Sequence, residues 1–230
     1  MSEKPMVTQS ESRESFMRRV RDALGRSRTA SVAPPPVVDE SIARLAGPDD
    51  DPVALFAERA TEVGMEVRSV DLDAAKVYAV DRLKEAGATH FVASAREGSP
   101  AAEVIAAVKA AGLQWIDGSE ASSLDPQFDA DAGITDVDAA LAETGTLICN
   151  SGSGRSRGPS LVARIHLAVI EPDDIVPDMF DYWPTMAEKS PAELPSSQAF
   201  ITGPSKTADI EGELITGVHG PGEVLVLIVS

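Results

Sequence analysis

The chain has 230 residues, enough for one domain with a small appendage, and its apolar content of 43% is ordinary for a packed core. A formal charge of −17 excludes the clustered Lys and Arg that nucleic acid requires, and argues against an anionic membrane surface. Cys149 is the only cysteine, so an intramolecular disulfide, a four-thiolate iron–sulfur cluster and a cysteine-based zinc site are excluded.

The opening MSEKPMVTQSESR lacks the apolar stretch of a signal peptide. The longest apolar run, Val224 to Val229, is far short of a membrane span, so a cytoplasmic protein without membrane insertion is expected. SFMRRVRDALGR then places Phe16, Val20 and Leu24 on one helical stripe with arginines opposite, and Gly25 is a stop signal. The proline-rich stretch 29–38 reads as extended, so this helix is tethered to the main domain by a linker. The division expected is 1–38 for helix and linker and 39–230 for an α/β domain.

From Asp51 one rhythm recurs three times. Asp51-Pro52 opens a helix whose face is Val53, Phe56, Ala57, Ala60 and Val63; Gly64 ends it and MEVRSV follows as a strand. Residues 73–86 read as a helix through Val77, Val80 and Leu83, Gly87 ends it, and THFVAS follows. Ser99-Pro100 opens a third helix with Val104, Ile105 and Val108; Gly112 ends it and LQWI follows. Helix, glycine and short apolar strand in alternation predict a mostly parallel sheet covered by helices.

The second half is less regular. Strands are expected near 131–134 and 145–149, with a short helix at 136–142 between them. After the loop SGSGRSRG and a brief helical turn come the strand IHLAVI, a proline-rich stretch 171–197 with one short helix, and the strand AFIT. TADIEGELI reads as helical, and EVLVLIV completes the sheet.

Four segments carry candidate chemistry. Thr135 and Asp136 are placed to cap the expected helix at 136–142. At its far end Glu143, Thr144, Gly145 and Thr146 make a polar step in which Glu143 is a candidate nucleophile or base, glycine letting a substrate approach the backbone. If the following strand is parallel, Glu143 lies opposite the usual ligand crevice. GSGRSRG resembles a dinucleotide fingerprint, but Gly158 comes one residue late and the helix behind it is too short. Arg155 and Arg157 on that loop instead suggest an anion site in an acidic chain. In TGPSKTADIE, Ser205 and Thr207 can cap a helix whose N–H groups, with Lys206, could hold a phosphate or carboxylate; pure capping explains them equally. His219, in the turn GVHGPGE, is a candidate proton-transfer group, and turn bonding is its structural alternative. No two histidines share metal-ligand spacing, so no metal site is expected.

Taken together, AETGTL at 142–147, Arg157-x-x-Ser160-Leu161 running into Ile165-His166, GPSKTADIE at 203–211 and GVHGPGEVLVLI at 217–228 resemble the LUD domain. FMRRVRDALGR is similar to the opening helix of its lactate utilization protein C branch. The resemblance implies a fold like the NagB/RpiA/CoA-transferase group. It also implies a non-redox accessory role in L-lactate oxidation to pyruvate, with iron–sulfur clusters in partner proteins and no cofactor on this chain. Thr144, Gly145, Thr146, Arg157, Ser160, Ser205, Lys206 and Thr207 become its candidate ligand-binding residues, for a small carboxylate or phosphate-bearing molecule. Glu143-Thr144-Gly145 is also weakly similar to the Glu-Asn-Gly of coenzyme A transferases, which leaves acyl transfer or sugar-phosphate isomerisation as alternatives, beside a regulatory or scaffold role.

Overall fold

A computed structural model describes residues 12–25, 36, 39–47, 49–117, 127–152, 154–207 and 215–230. The chain divides into two units, Met1–Asp39 and Glu40–Ser230. In the first, helix α1 (Arg13–Ala23) starts at Ser12, whose side chain accepts from the Ser15 N–H. Arg19 lies over the Phe16 ring. Apart from residue 36, most of the proline-rich stretch expected at 29–38 lies outside the described residues.

The second unit opens with the three expected helix–strand pairs. They are α2 (Pro52–Glu62) with β1 (Glu66–Val70), α3 (Leu72–Glu85) with β2 (His90–Ser94), and α4 (Pro100–Ala110) with β3 (Gln114–Trp115). Asp51, Asp71 and Ser99 cap the three helices through their side chains, each worth about 1 kcal/mol. The phase of α3 differs from expectation. Ala75, Ala79 and Leu83 are buried, while Val77 is 61% exposed. Alanines on the inner face bring α3 close to both the sheet and α4, where β-branched valine would hold it off.

With β4 (Ala132–Asp136), β7 (Ile165–Ile170) and β12 (Glu223–Val229) these strands form a six-stranded sheet, ordered β1-β12-β7-β4-β2-β3 and parallel throughout. One face, with Phe91, Ile134, Leu167 and Leu227, packs under α3 and α4. The mostly parallel, helix-covered α/β sheet expected from sequence is therefore present.

The other face is covered by something the sequence reading did not separate. β5 (Ala139–Leu141), β6 (Thr146–Ser151), β8 (Ile175–Val176) and β9 (Ser197–Ile201) form a second, mixed sheet ordered β8-β5-β6-β9. Ala140, Leu147 and Cys149 meet Ala168, Ile170, Val226 and Ile228 of the parallel sheet, with Phe56 and Ala60 of α2 completing that core. On the outside of the second sheet lies α6 (Met179–Ala187), where Tyr182 packs on Ala139, Leu141 and Ile148. The short α5 (Gly158–Leu161) approaches β4 instead, and an alanine Cβ at Gly133 would lie 1.7 Å from the Pro159 carbonyl oxygen.

Two expected helices are corrected. The α-helix expected at 136–142 is absent: β4 runs on to Asp136, Ala139–Leu141 forms β5, central in the second sheet and buried throughout, and Ala142 only opens a 3₁₀ turn. Burial on both faces overrides alanine's helix preference there. Thr135 and Asp136 consequently cap nothing. In TADIEGELI, Thr207 and Ile215 are strand residues: β10 (Lys206–Thr207) pairs antiparallel with β11 (Ile215–Thr216), and 208–214 lie outside the described residues.

Candidate functional site

Parallel strands gather ligands at their carboxyl ends, and β4 ends there in Asp136. Its side chain is 2% exposed and receives Arg155 at 2.6 Å and Arg96 at 2.8 Å. Arg155 also bonds Asp138 at 2.6 Å, and Arg96 reaches Asp174 at 3.5 Å. Burial alone would lower the Arg155 pKa, but the hydrogen bonds to Asp138 and the charge of Asp136 hold it above its ordinary value. Burial likewise raises Asp174. The network joins the end of β4 to the connecting segments that carry Arg96, Asp138, Arg155 and Asp174.

Beside it opens a cavity of about 440 Å³, lined by Trp115, Asp117, Gly152, Gly154, Arg155 and Pro159 among others. The anion site expected on the SGSGRSRG loop meets a difficulty here. Both terminal nitrogens of Arg155 are bonded to Asp136 and Asp138, and its Nε is buried without a partner in the described structure. Three carboxylates face two guanidiniums, so the network has no cation to spare. Arg157 is exposed and contributes its carbonyl to the Ser160 hydroxyl.

The polar step at Glu143 is built differently from expectation. β6 pairs antiparallel with β5 and β9, so the parallel-strand argument for Glu143 does not apply. Glu143 is half-buried in a 3₁₀ turn (Ala142–Thr144), and its carboxylate accepts the Leu45 N–H at 3.3 Å. Gly145 does not admit a substrate, because α2 occupies the space: a Cβ there would lie 2.3 Å from the Ala60 nitrogen. Thr144, Thr146 and Thr202 form a ladder of hydroxyls, each bond 2.7 Å.

Ser205, Lys206 and Thr207 are not at a helix start. The Ser205 N–H donates to the Pro221 carbonyl at 2.8 Å, Lys206 Nζ donates to the Val63 carbonyl at 2.9 Å, and Thr207 belongs to β10. The phosphate-holding helix terminus therefore has no counterpart among the described residues. Ser160, Ser205 and His219 nevertheless come together, with Leu161, Phe200 and Val224, around a second cavity of about 350 Å³. Three segments far apart in sequence thus meet, while Glu143 and Arg157 are not part of its wall.

Between the two cavities, β7 carries His166, fully buried. Its Nε2 shares a 2.8 Å hydrogen bond with Thr135 Oγ1, which in turn lies 3.9 Å from Cys149 Sγ. The Nδ1 has no partner among the described residues. Burial pushes His166 down to about 4 and the Cys149 thiol up to about 12, so both are neutral at pH 7. Unfolded, the histidine titrates near its ordinary 6.5. Between these values only the unfolded chain binds the proton, so stability present above pH 6.5 is lost as pH falls toward 4. The loss from this group reaches at most about 3 kcal/mol. Urea midpoints of the wild type and His166→Gln, compared from about pH 7 to about pH 4.5, should show a steeper decline in the wild type. Parallel declines would show that His166 does not carry the effect.

Asp136, Asp138, Arg96 and Asp174 were not singled out as a site by the sequence reading. Two aspartates spaced for one face, at the end of a buried strand and opposite an arginine in a glycine loop, were the available signal. Among the described residues no group of three or more His, Cys, Asp or Glu is placed to hold a metal ion, and no helix is long and apolar enough to cross a membrane.

The LUD domain family model matches residues 53–229. The chain is 30% identical to lactate utilization protein C of Halalkalibacterium halodurans, over 95% of this chain and 97% of that one. The protein of the same name from Geobacillus sp. is 38% identical over 119 residues, about half of either chain (50% and 49%). A solved structure, that of a DUF162 family protein from Deinococcus radiodurans, is similar with a TM-score of 0.54 at 21% identity. That likeness covers 78% of this chain and 96% of the other, and bears on the fold alone. By the extent of these matches, the chain belongs to the LUD domain family.

Proposed function

We propose that this chain serves lactate utilization as a non-redox accessory subunit of an iron–sulfur system that oxidises L-lactate to pyruvate. The observation that carries the reading is the similarity, along nearly the whole of both chains, to a protein named lactate utilization protein C. The non-redox part is supported by the chemistry of the one thiol. A cluster ligand must be a thiolate facing its metal, whereas Cys149 lies buried between two sheets with its pKa raised to about 12. Electron transfer and cluster binding then belong to partner proteins.

Deleting the gene should slow growth on L-lactate and leave growth on pyruvate unchanged. Normal growth on L-lactate, in a strain with no duplicate gene, would sink the reading. Complementing the deletion with Glu143→Ala tests the enzyme alternatives: a folded variant that restores growth would dismiss both acyl transfer and isomerisation through Glu143.

A further inference from the structure

We propose that residues 40–47 form a latch over Glu143, which Arg44 holds shut and which opens while the rest of the domain stays folded. The latch thereby controls access to a half-buried carboxylate that the sequence marks as a candidate nucleophile or base.

Glu40–Ile42 is a 3₁₀ turn that sets Glu40 beside Arg44, and their side chains pair at 2.8 Å. From there the Arg44 guanidinium reaches α6, meeting Asp178 at 2.7 Å and Asp181 at 2.6 Å. It also lies over the Phe180 ring, 5.2 Å from its centre. Asp178 is fully buried and accepts the N–H groups of Phe180 and Asp181, so this anchor is fixed at the start of α6. Next in the chain, the Leu45 N–H donates to the Glu143 carboxylate. Gly47 ends the latch, its N–H donating to Asp50 at 2.7 Å just ahead of α2. One cation thus ties the segment before α2 to α6 and sets a main-chain donor on Glu143.

The attachment is ionic and not apolar. Ile42 is 83% and Leu45 79% exposed, so the large apolar side chains of the segment bury little surface on the domain. Segments with few buried apolar contacts open locally, at less cost than global unfolding. Arg44 also decides the sign of the electrostatics. Without its charge, Glu40 on the latch would face Asp178 and Asp181 of α6 with no guanidinium between them. Like charges would then push the latch off where Arg44 had drawn it in. A ligand that engages the Glu143 carboxylate binds the open form, and its apparent affinity falls with the fraction of chains that are open.

The test follows amide hydrogen exchange in the full chain, residue by residue, together with carbodiimide and amine labelling of Glu143 read by mass spectrometry. In the wild type the Leu45 amide should be less protected than those of Ala79 and Leu83, which are buried on α3. Its exchange should also depend little on urea, because opening the latch exposes little surface. Arg44→Met keeps an apolar stem without the charge, and should speed exchange at Leu45 by about tenfold or more while raising the labelling of Glu143. If circular dichroism shows Arg44→Met to be unfolded, Asp181→Asn makes the same test by removing a half-exposed carboxylate, with an expected gain of about twofold. Equal protection and equal urea dependence at Leu45 and Leu83 would mean that the segment opens only as the chain unfolds. Wild-type exchange and labelling in the folded variant would mean that Arg44 does not hold it. Either result overturns the latch.

Discussion

Gly145→Ala is expected to cost more than about 4 kcal/mol, a large part of the stability of an ordinary domain. The new Cβ would lie 2.3 Å from the Ala60 nitrogen and 2.6 Å from its Cα, both main-chain atoms of α2. The helix cannot withdraw, because Phe56 and Ala60 are fully buried against both sheets. At φ +62° the position is also left-handed, which adds roughly 1–2 kcal/mol for a residue bearing a Cβ. Gly154→Ala separates the two effects: its φ is +75°, but nothing lies within 4 Å of the added atom. It should lose only the backbone contribution, roughly 1–2 kcal/mol. Urea unfolding followed by circular dichroism gives both midpoints, and similar losses in the two variants would refute the packing argument.

Asp136→Ala should destabilise by about 3 kcal/mol, the lower end of what a broken buried ion pair costs. The value is not higher because both cations keep a partner, Arg155 in Asp138 and Arg96 in Asp174. Arg96 is also nearly half exposed, so water screens it. Pairing Asp136→Ala with Arg155→Met should cost less than the sum of the single changes, since the Asp136–Arg155 bond that each single change breaks is counted only once in the pair. Strict additivity in the double-mutant cycle would mean that the two side chains do not interact energetically.

Local patterns in the sequence were informative where local physics decides structure. Asp51, Asp71 and Ser99 cap helices, and Gly64, Gly87 and Gly112 end them, as residue type and position alone suggest. The parallel sheet followed from that alternation. What the sequence did not display depends on contacts between distant segments. Ala139-Ala140-Leu141 favours a helix until β6 and β8 flank it on either side. Val77 loses its expected inward place to alanines because α3 lies close against α4 and the sheet.

The candidate sites were legible in the same uneven way. Ser160, Ser205 and His219 could be picked out singly, but their meeting at one groove requires the fold. Gly145 was read as an opening for substrate, and the structure fills that opening with α2, which begins more than eighty residues earlier. The glycine-loop arginines suggested an anion; Asp136 and Asp138, too far along the chain to be paired with Arg155 by spacing, already supply it.

The central claim is that the chain supports L-lactate oxidation without carrying a redox centre on Cys149. Its most direct test is L-lactate-dependent pyruvate formation in extracts of the deletion strain, complemented with the wild type or with Cys149→Ala. Oxidation should be largely lost in the uncomplemented strain and restored by both genes. Undiminished oxidation without the gene, or failure of a folded Cys149→Ala protein to restore it, would contradict the claim.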